Sequence, residues 1–187
     1  MTMEEGGAVG KRVSWVELYF DLVFVFAVGQ VAHHLIVEPT WRAVLSTLAV
    51  FATLWWTWIG FVLLYNRRGD DRRLLHRLVI LAGTVPCAIA ATQAHGVFEH
   101  HGLGFALALA GTRLVLAIGY LASTRRSERA FARRAALGYG LSGILFVLAA
   151  VLSALGFRPI GFVLWGYAIL QEGVFLLLRR DRAGRRA

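Results

Sequence analysis

The sequence has very little cysteine and lysine. Cys87 is the only cysteine among 187 residues, so the chain forms no intrachain disulfide and no metal site built from several thiolates. Cys87 lies inside an apolar block, where we expect it to act as a small packing residue. Lys11 is the only lysine and the other basic residues are arginines, a bias for which the sequence offers no structural reason.

Motifs that would identify an enzyme are also missing. The chain contains no nucleophile elbow, P-loop, dinucleotide-binding fingerprint or HExxH zinc motif. We therefore predict neither an enzyme nor a bound cofactor. Polar and apolar residues do not alternate over strand-length segments, as the strands of a membrane barrel would require, so the fold class we predict is all-α.

What the sequence has in excess is apolar residues in long blocks. It is 58% hydrophobic, with a mean hydropathy of +0.62. About 20 helical residues cross a bilayer core, and a helix satisfies its own backbone where lipid offers no partner. We therefore predict one transmembrane domain, residues 1–187, whose environment is the lipid bilayer. The six predicted spans are 13–36, 41–65, 74–97, 103–122, 135–155 and 159–178.

The net charge of +9 follows from how arginine is distributed between these blocks. Sixteen of the 20 basic residues lie in the N-terminus, the second and fourth connectors and the C-terminal tail, whereas Arg42 and Arg158 alone lie on the other side. Such a bias marks the cytoplasmic face, so both termini are predicted to be cytoplasmic. Topology thus explains the basicity, and we expect no nucleic acid partner. The first block lacks a small-residue cleavage site, and we expect it to remain as the first helix.

Five acidic and arginine side chains fall at membrane depth within the predicted spans, where each costs roughly 2.5–3.5 kcal/mol on insertion scales. They are Glu17, Asp21, Arg77, Arg113 and Glu172. At 1.5 Å rise per residue, Asp21, Arg113 and Glu172 fall in one layer, while Glu17 and Arg77 lie nearer the cytoplasm. We expect Asp21 and Glu172 to compete for or share Arg113, and Glu17 to pair with Arg77.

Two interpretations of this polar network remain open at the level of sequence. Ion pairs can simply fix helix neighbours and register. Alternatively, the network is a proton- or ion-linked site in which one acid titrates as a pathway opens.

Other polar and aromatic residues allow two interpretations each. Trp55 and Trp56 either fill space between helices or line an aromatic pocket, and Pro86 marks either a packing kink or a helix break at a binding site. A third group lies at the outer ends of the spans, where interfacial histidines are favoured over a metal site or a lipid-directed enzyme. Its members are Gln30, His33, His34, His95, Glu99, His100 and His101.

The first span carries the run ELYFDLVFVFA, Glu17 to Ala27, and the second carries WWTWIGF, 55–61. Together with the arginine–acid connector that follows, these segments resemble the bacterial low-temperature-requirement A family over essentially the whole chain. The resemblance implies a multi-pass protein of the bacterial inner membrane. Its signature residues are Glu17, Phe20, Asp21 and Phe24.

Family members are commonly about twice as long, so the chain resembles their N-terminal half. We expect either a short form that pairs with a second copy or with a second-half protein, or a truncated gene product. The leading functional hypothesis is transport or sensing of a small solute or ion through the acid–arginine network. The alternative is a non-transporting membrane scaffold or half-length assembly partner.

Overall fold

The structure, a computed structural model, describes residues 15–37, 39–68, 74–94, 97, 102–122 and 129–177, and within these ranges it is helical with no strand. The all-α prediction is therefore confirmed. The six helices are α1 (Trp15–Val37), α2 (Trp41–Arg68), α3 (Leu74–Gln93), α4 (Gly102–Ala122), α5 (Arg129–Ala154) and α6 (Arg158–Leu177).

Most helix ends lie close to the ends of the apolar blocks, but α5 does not begin where its block begins. It begins at Arg129, six residues before the predicted residue 135. The extra residues are mainly arginine and alanine, both good helix formers, so the helix continues beyond its apolar part. Helix α3, in contrast, is shorter than predicted, because it ends at Gln93 and not at residue 97.

Local signals set two of the helix boundaries. The Thr40 hydroxyl oxygen accepts a hydrogen bond from the Ala43 amide at 3.2 Å, which caps the start of α2. Gly156, at φ 95°, ends α5 in the left-handed conformation that glycine adopts without strain. The amides of Gly156 and Phe157 then donate to the carbonyls of Ser153 and Leu152, a Schellman arrangement that turns the chain into α6.

Helix α4 occupies the centre of the bundle. It packs against α2, α3 and α5, while α1 packs against α2 and α3, and α6 packs against α5. Two apolar clusters form the core, one containing Leu109 and the other containing Leu116. Arg113 is one turn from each of these leucines on the same helix face, so a charged side chain separates the two clusters.

The outside of the bundle is more apolar than that of a typical soluble domain, and two charged side chains lie inside it. Leu22, Leu114 and Val163 are among many large apolar side chains that lie exposed on the outside, whereas Arg113 and Glu172 are buried. Three helical segments within the described residues are long and apolar enough to cross a membrane, judged by length and composition. They are Trp41–Asn66, Gly102–Ala122 and Arg129–Ala154.

Candidate functional site

Arg113 of α4 and Glu172 of α6 form a two-point ion pair inside the bundle. Arg113 Nε donates to Glu172 Oε1 at 3.0 Å, and Arg113 Nη2 donates to Oε2 at 3.4 Å. The arginine is 0% exposed and the glutamate 2%. The predicted contact between these two residues is confirmed, and it ties α4 to α6.

The second terminal nitrogen of Arg113 is directed at two threonine hydroxyls. Nη1 donates to Thr57 Oγ1 of α2 and, at 3.2 Å, to Thr112 Oγ1. Each threonine donates its own hydroxyl hydrogen to a backbone carbonyl of its helix, at 2.8 Å for Thr57 and 2.7 Å for Thr112. Their oxygens therefore remain as acceptors, which is what a guanidinium requires because it has donors only.

Two aromatic side chains complete the surroundings of the ion pair. Trp56 Nε1 donates to Glu172 Oε2 at 2.9 Å, so this tryptophan acts as a hydrogen-bond donor to the carboxylate as well as filling space. The Arg113 guanidinium carbon lies 4.9 Å from the centre of the Phe146 ring, a cation–π distance. The pair thus joins side chains from α2, α4, α5 and α6.

The energetics of such a pair are asymmetric. Removing one partner of a buried ion pair leaves an uncompensated charge and costs about 3–5 kcal/mol, whereas replacing both partners with apolar residues is often neutral or stabilising. Fold stability alone therefore does not require an arginine and a glutamate at these positions. Either register between helices or a function remains as the reason for them.

Asp21 does not share Arg113, so that part of the predicted network is wrong. Its Oδ1 accepts a hydrogen bond from Trp58 Nε1 of α2 at 2.9 Å, and no bond joins Asp21 to Arg113 among the described contacts. The reason lies in the directions that the side chains face around the bundle. Helix α1 packs on α2 and α3, whereas Arg113 directs its donors toward α2 and α6. Equal depth placed the residues in one layer but not in contact.

Three of the four signature residues on α1, Phe20, Asp21 and Phe24, contact α2. Phe20 is buried, with its ring 5.0 Å from that of Phe61, and Phe24 lies 5.6 Å from Trp58. The side chain of Glu17 lies outside the described residues, so its pairing with Arg77, a half-buried residue on α3, remains a prediction.

The outer histidine group is only partly described. His33 is exposed at the end of α1, whereas the side chains of His34, His95, His100 and His101 lie outside the described residues. Within the described part of the chain, no group of three or more histidine, cysteine or acidic side chains could hold a metal ion.

A cavity of about 230 Å³ opens where α4 begins, α5 ends and α6 begins. Phe146 and Trp165 line it, and their rings meet edge to face at 6.0 Å. Trp165 Nε1 donates to Thr53 Oγ1 at 3.0 Å, which fixes the indole. Phe146 also contacts Arg113, so one aromatic ring touches both this cavity and the buried ion pair.

The sequence predicted neither the cavity nor the residues that line it. A signal was present in α6, where Arg158, Phe162, Trp165 and Glu172 recur at spacings of four, three and seven residues, which places them on one stripe of the helix. Phe146 carried no comparable signal, because a phenylalanine in an apolar helix has many possible packing roles.

The fold and site define a class: an all-α bundle of six described helices with an apolar exterior, built around a buried arginine–glutamate pair. The chain belongs to the bacterial low temperature requirement A protein (LtrA) family, whose model matches residues 12–185. The resemblance seen in the first two helices is thereby confirmed.

One relative shows how little of a longer protein this chain covers. It is 32% identical over 122 residues to the uncharacterized protein RA0937 of Rhizobium meliloti (strain 1021). That match spans 64% of this chain but only 29% of the relative. No solved structure matches the chain.

Proposed function

We propose that this protein is a multi-pass protein of the bacterial inner membrane that transports or senses a small solute or ion at the Arg113–Glu172 pair. The apolar exterior of the bundle supports the membrane assignment, because large exposed apolar surfaces are unfavourable in water. The arginine-rich segments support six crossings with both termini in the cytoplasm.

The observation that carries the functional proposal is the position of Phe146. Its ring contacts the Arg113 guanidinium and also lines the cavity. Ionisable residues at membrane depth commonly mark ion or substrate pathways, and here a solute-sized space ends one side chain away from such a pair. Rotation of Phe146 would bring a solute in the cavity within reach of Arg113.

In the structure, Arg113 is held by Glu172, Thr57 and Thr112. A passing solute would replace one of these partners, so the guanidinium would always keep a compensating acceptor. Exchange of partners avoids the cost of leaving a buried charge unpaired. Asp21, held by Trp58 on the α1 side, would hold α1 against α2 during the exchange.

Flux in proteoliposomes tests this proposal. The full chain would be reconstituted and assayed with protons, sodium, potassium, chloride and small carboxylates, with empty liposomes as the blank and Thr92→Ala as the control. Thr92 is exposed and donates its hydroxyl hydrogen to its own helix. We expect flux of at least one probe, with a lower rate in Asp21→Asn. Absence of flux for every probe would count against transport, whereas equal rates in the wild type and Asp21→Asn would show that Asp21 takes no part in it.

A non-transporting scaffold or half-length assembly partner is the second candidate. Two observations favour it. The charged groups of Arg113 and Glu172 are already hydrogen-bonded to protein partners, and the match covers only 29% of a longer relative. On this account, Asp21→Asn and Arg113→Leu lower bundle stability and expression, and wild-type proteoliposomes carry no flux.

A further inference from the structure

The cavity beside Phe146 has a distinct chemical character. Its described lining includes one charged side chain, Arg158, and no carboxylate. Ser153 donates its hydroxyl hydrogen to the Ala149 carbonyl at 2.7 Å, so it presents an oxygen and not a free donor. The positive charge of Arg158 therefore dominates the electrostatics of the described walls.

Arg158 is available to a ligand. It begins α6 and is exposed, and its side chain takes part in no ion pair or hydrogen bond in the part of the chain that the structure describes. A guanidinium presents a planar fork of donors that matches a carboxylate at two points. Its position at the cavity suits capture of an anionic group.

The remaining walls suit an apolar body. Phe162 and Trp165 lie one and two turns from Arg158 along the same stripe of α6, and both line the cavity together with Phe146. The volume of about 230 Å³ is below the roughly 300–1,000 Å³ typical of sites for drug-sized ligands. The space therefore fits a compact molecule, and aromatic walls favour one with an apolar part over an inorganic anion.

We propose that this cavity binds a small organic anion, with its carboxylate on Arg158 and its compact apolar or aromatic body against Phe162 and Trp165. The inference deepens the proposed function, on which it rests for its biological role, by naming the substrate class and the point of entry. On α6, Glu172 lies seven residues beyond Trp165, about 10 Å deeper along the helix. The anion would thus enter on the predicted outer side of the Arg113–Glu172 pair.

Calorimetric titration of the full chain in detergent tests the assignment. The probes are benzoate and hexanoate, with benzamide as the neutral and benzylamine as the cationic match to benzoate. We expect saturable binding of at least one of the two anions, at least tenfold weaker binding of benzamide, and none of benzylamine. Arg158→Gln should weaken anion binding about tenfold or more, as expected for loss of a charged hydrogen bond. Arg158→Lys should restore part of it.

Arg42→Gln is the matched control, because Arg42 is also exposed and lies near the start of α2, on the same predicted outer side. It should leave anion binding unchanged. Ala150→Leu, which adds volume to the cavity wall, should weaken benzoate and benzamide alike. No saturable binding of either anion, or equal binding by the wild type and the Arg158→Gln variant, would overturn the assignment. Anion binding without flux would support the anion site and contradict transport. Flux without anion binding would support transport and contradict the anion site.

Discussion

At the scale of single residues, the buried guanidinium is stabilised by acceptors on three helices. Glu172 supplies two oxygens, and Thr57 and Thr112 supply one each. Each threonine can accept because its own hydrogen is already donated to a carbonyl. Depth along the helices predicted the contact between Arg113 and Glu172, but the threonine contacts depend on how each helix is rotated, which composition does not reveal.

A double-mutant cycle tests the pair. Arg113→Leu and Glu172→Leu should each lower the free energy of unfolding by about 3–5 kcal/mol, since each leaves a buried charge uncompensated. The double variant should lose less than the sum of the two. Unfolding by sodium dodecyl sulfate in mixed micelles, followed by tryptophan fluorescence, would measure this. Additive losses would show that the two side chains do not interact.

Trp58 provides a second test at this scale. Trp58→Phe keeps a ring beside Phe24 but removes the donor to Asp21. We expect a loss of about 1 kcal/mol, because the carboxylate is only half-buried and water replaces part of the bond. Trp55→Phe is the control, since Trp55 is 48% exposed and stacks on Phe51. Equal effects of the two changes in the same unfolding assay would contradict the Trp58–Asp21 bond.

At the scale of helices, hydropathy predicted the elements better than their contacts. The apolar blocks gave six helices, and only the start of α5 and the end of α3 lie more than three residues from prediction. The predicted contact of Asp21 with Arg113 was wrong because a contact depends on the rotation of α1 about its axis as well as on depth. That rotation is set by packing, including the Phe20–Phe61 contact.

Gly83 of α3 leaves room for the ring of Phe61, which reaches it from α2. A methyl group there would overlap the ring of Phe61, which is 2% exposed and belongs to the core cluster that contains Leu116. Gly83→Ala should therefore destabilise the bundle by about 1–3 kcal/mol. Gly29→Ala is the matched control, since nothing lies within 4 Å of the added carbon, and it should stabilise α1 by up to about 1 kcal/mol. Effects of the same sign in thermal unfolding would contradict this packing.

At the scale of the whole molecule, an apolar exterior surrounds buried polar groups. The sequence predicted this arrangement through the alternation of apolar blocks and arginine-rich connectors, because that pattern is a property of the chain as a whole. It did not predict the cavity at the ends of α4, α5 and α6, since a cavity depends on how three helices diverge. The same distinction separates the well-predicted fold from the partly predicted site.

The proposed topology can be tested by labelling with a membrane-impermeant maleimide. In a Cys87→Ala background, Arg42→Cys and Phe157→Cys should react from the outside of intact spheroplasts. Asn66→Cys and Arg129→Cys should react only after permeabilisation, because they lie at the predicted cytoplasmic ends of α2 and α5. All four positions are exposed. Labelling of Asn66→Cys or Arg129→Cys in intact spheroplasts would contradict six crossings with cytoplasmic termini.

The central claim is that a solute passes or is sensed at the Arg113–Glu172 pair, and flux through Glu172→Gln proteoliposomes tests it most directly. Glutamine keeps the shape of the side chain but removes the negative charge that compensates Arg113. Flux should be divided by the amount of folded protein in the same vesicles, so that instability is not counted as loss of function. We predict that flux per folded molecule falls at least tenfold. An unchanged rate per folded molecule would contradict the claim and leave the pair with a structural role.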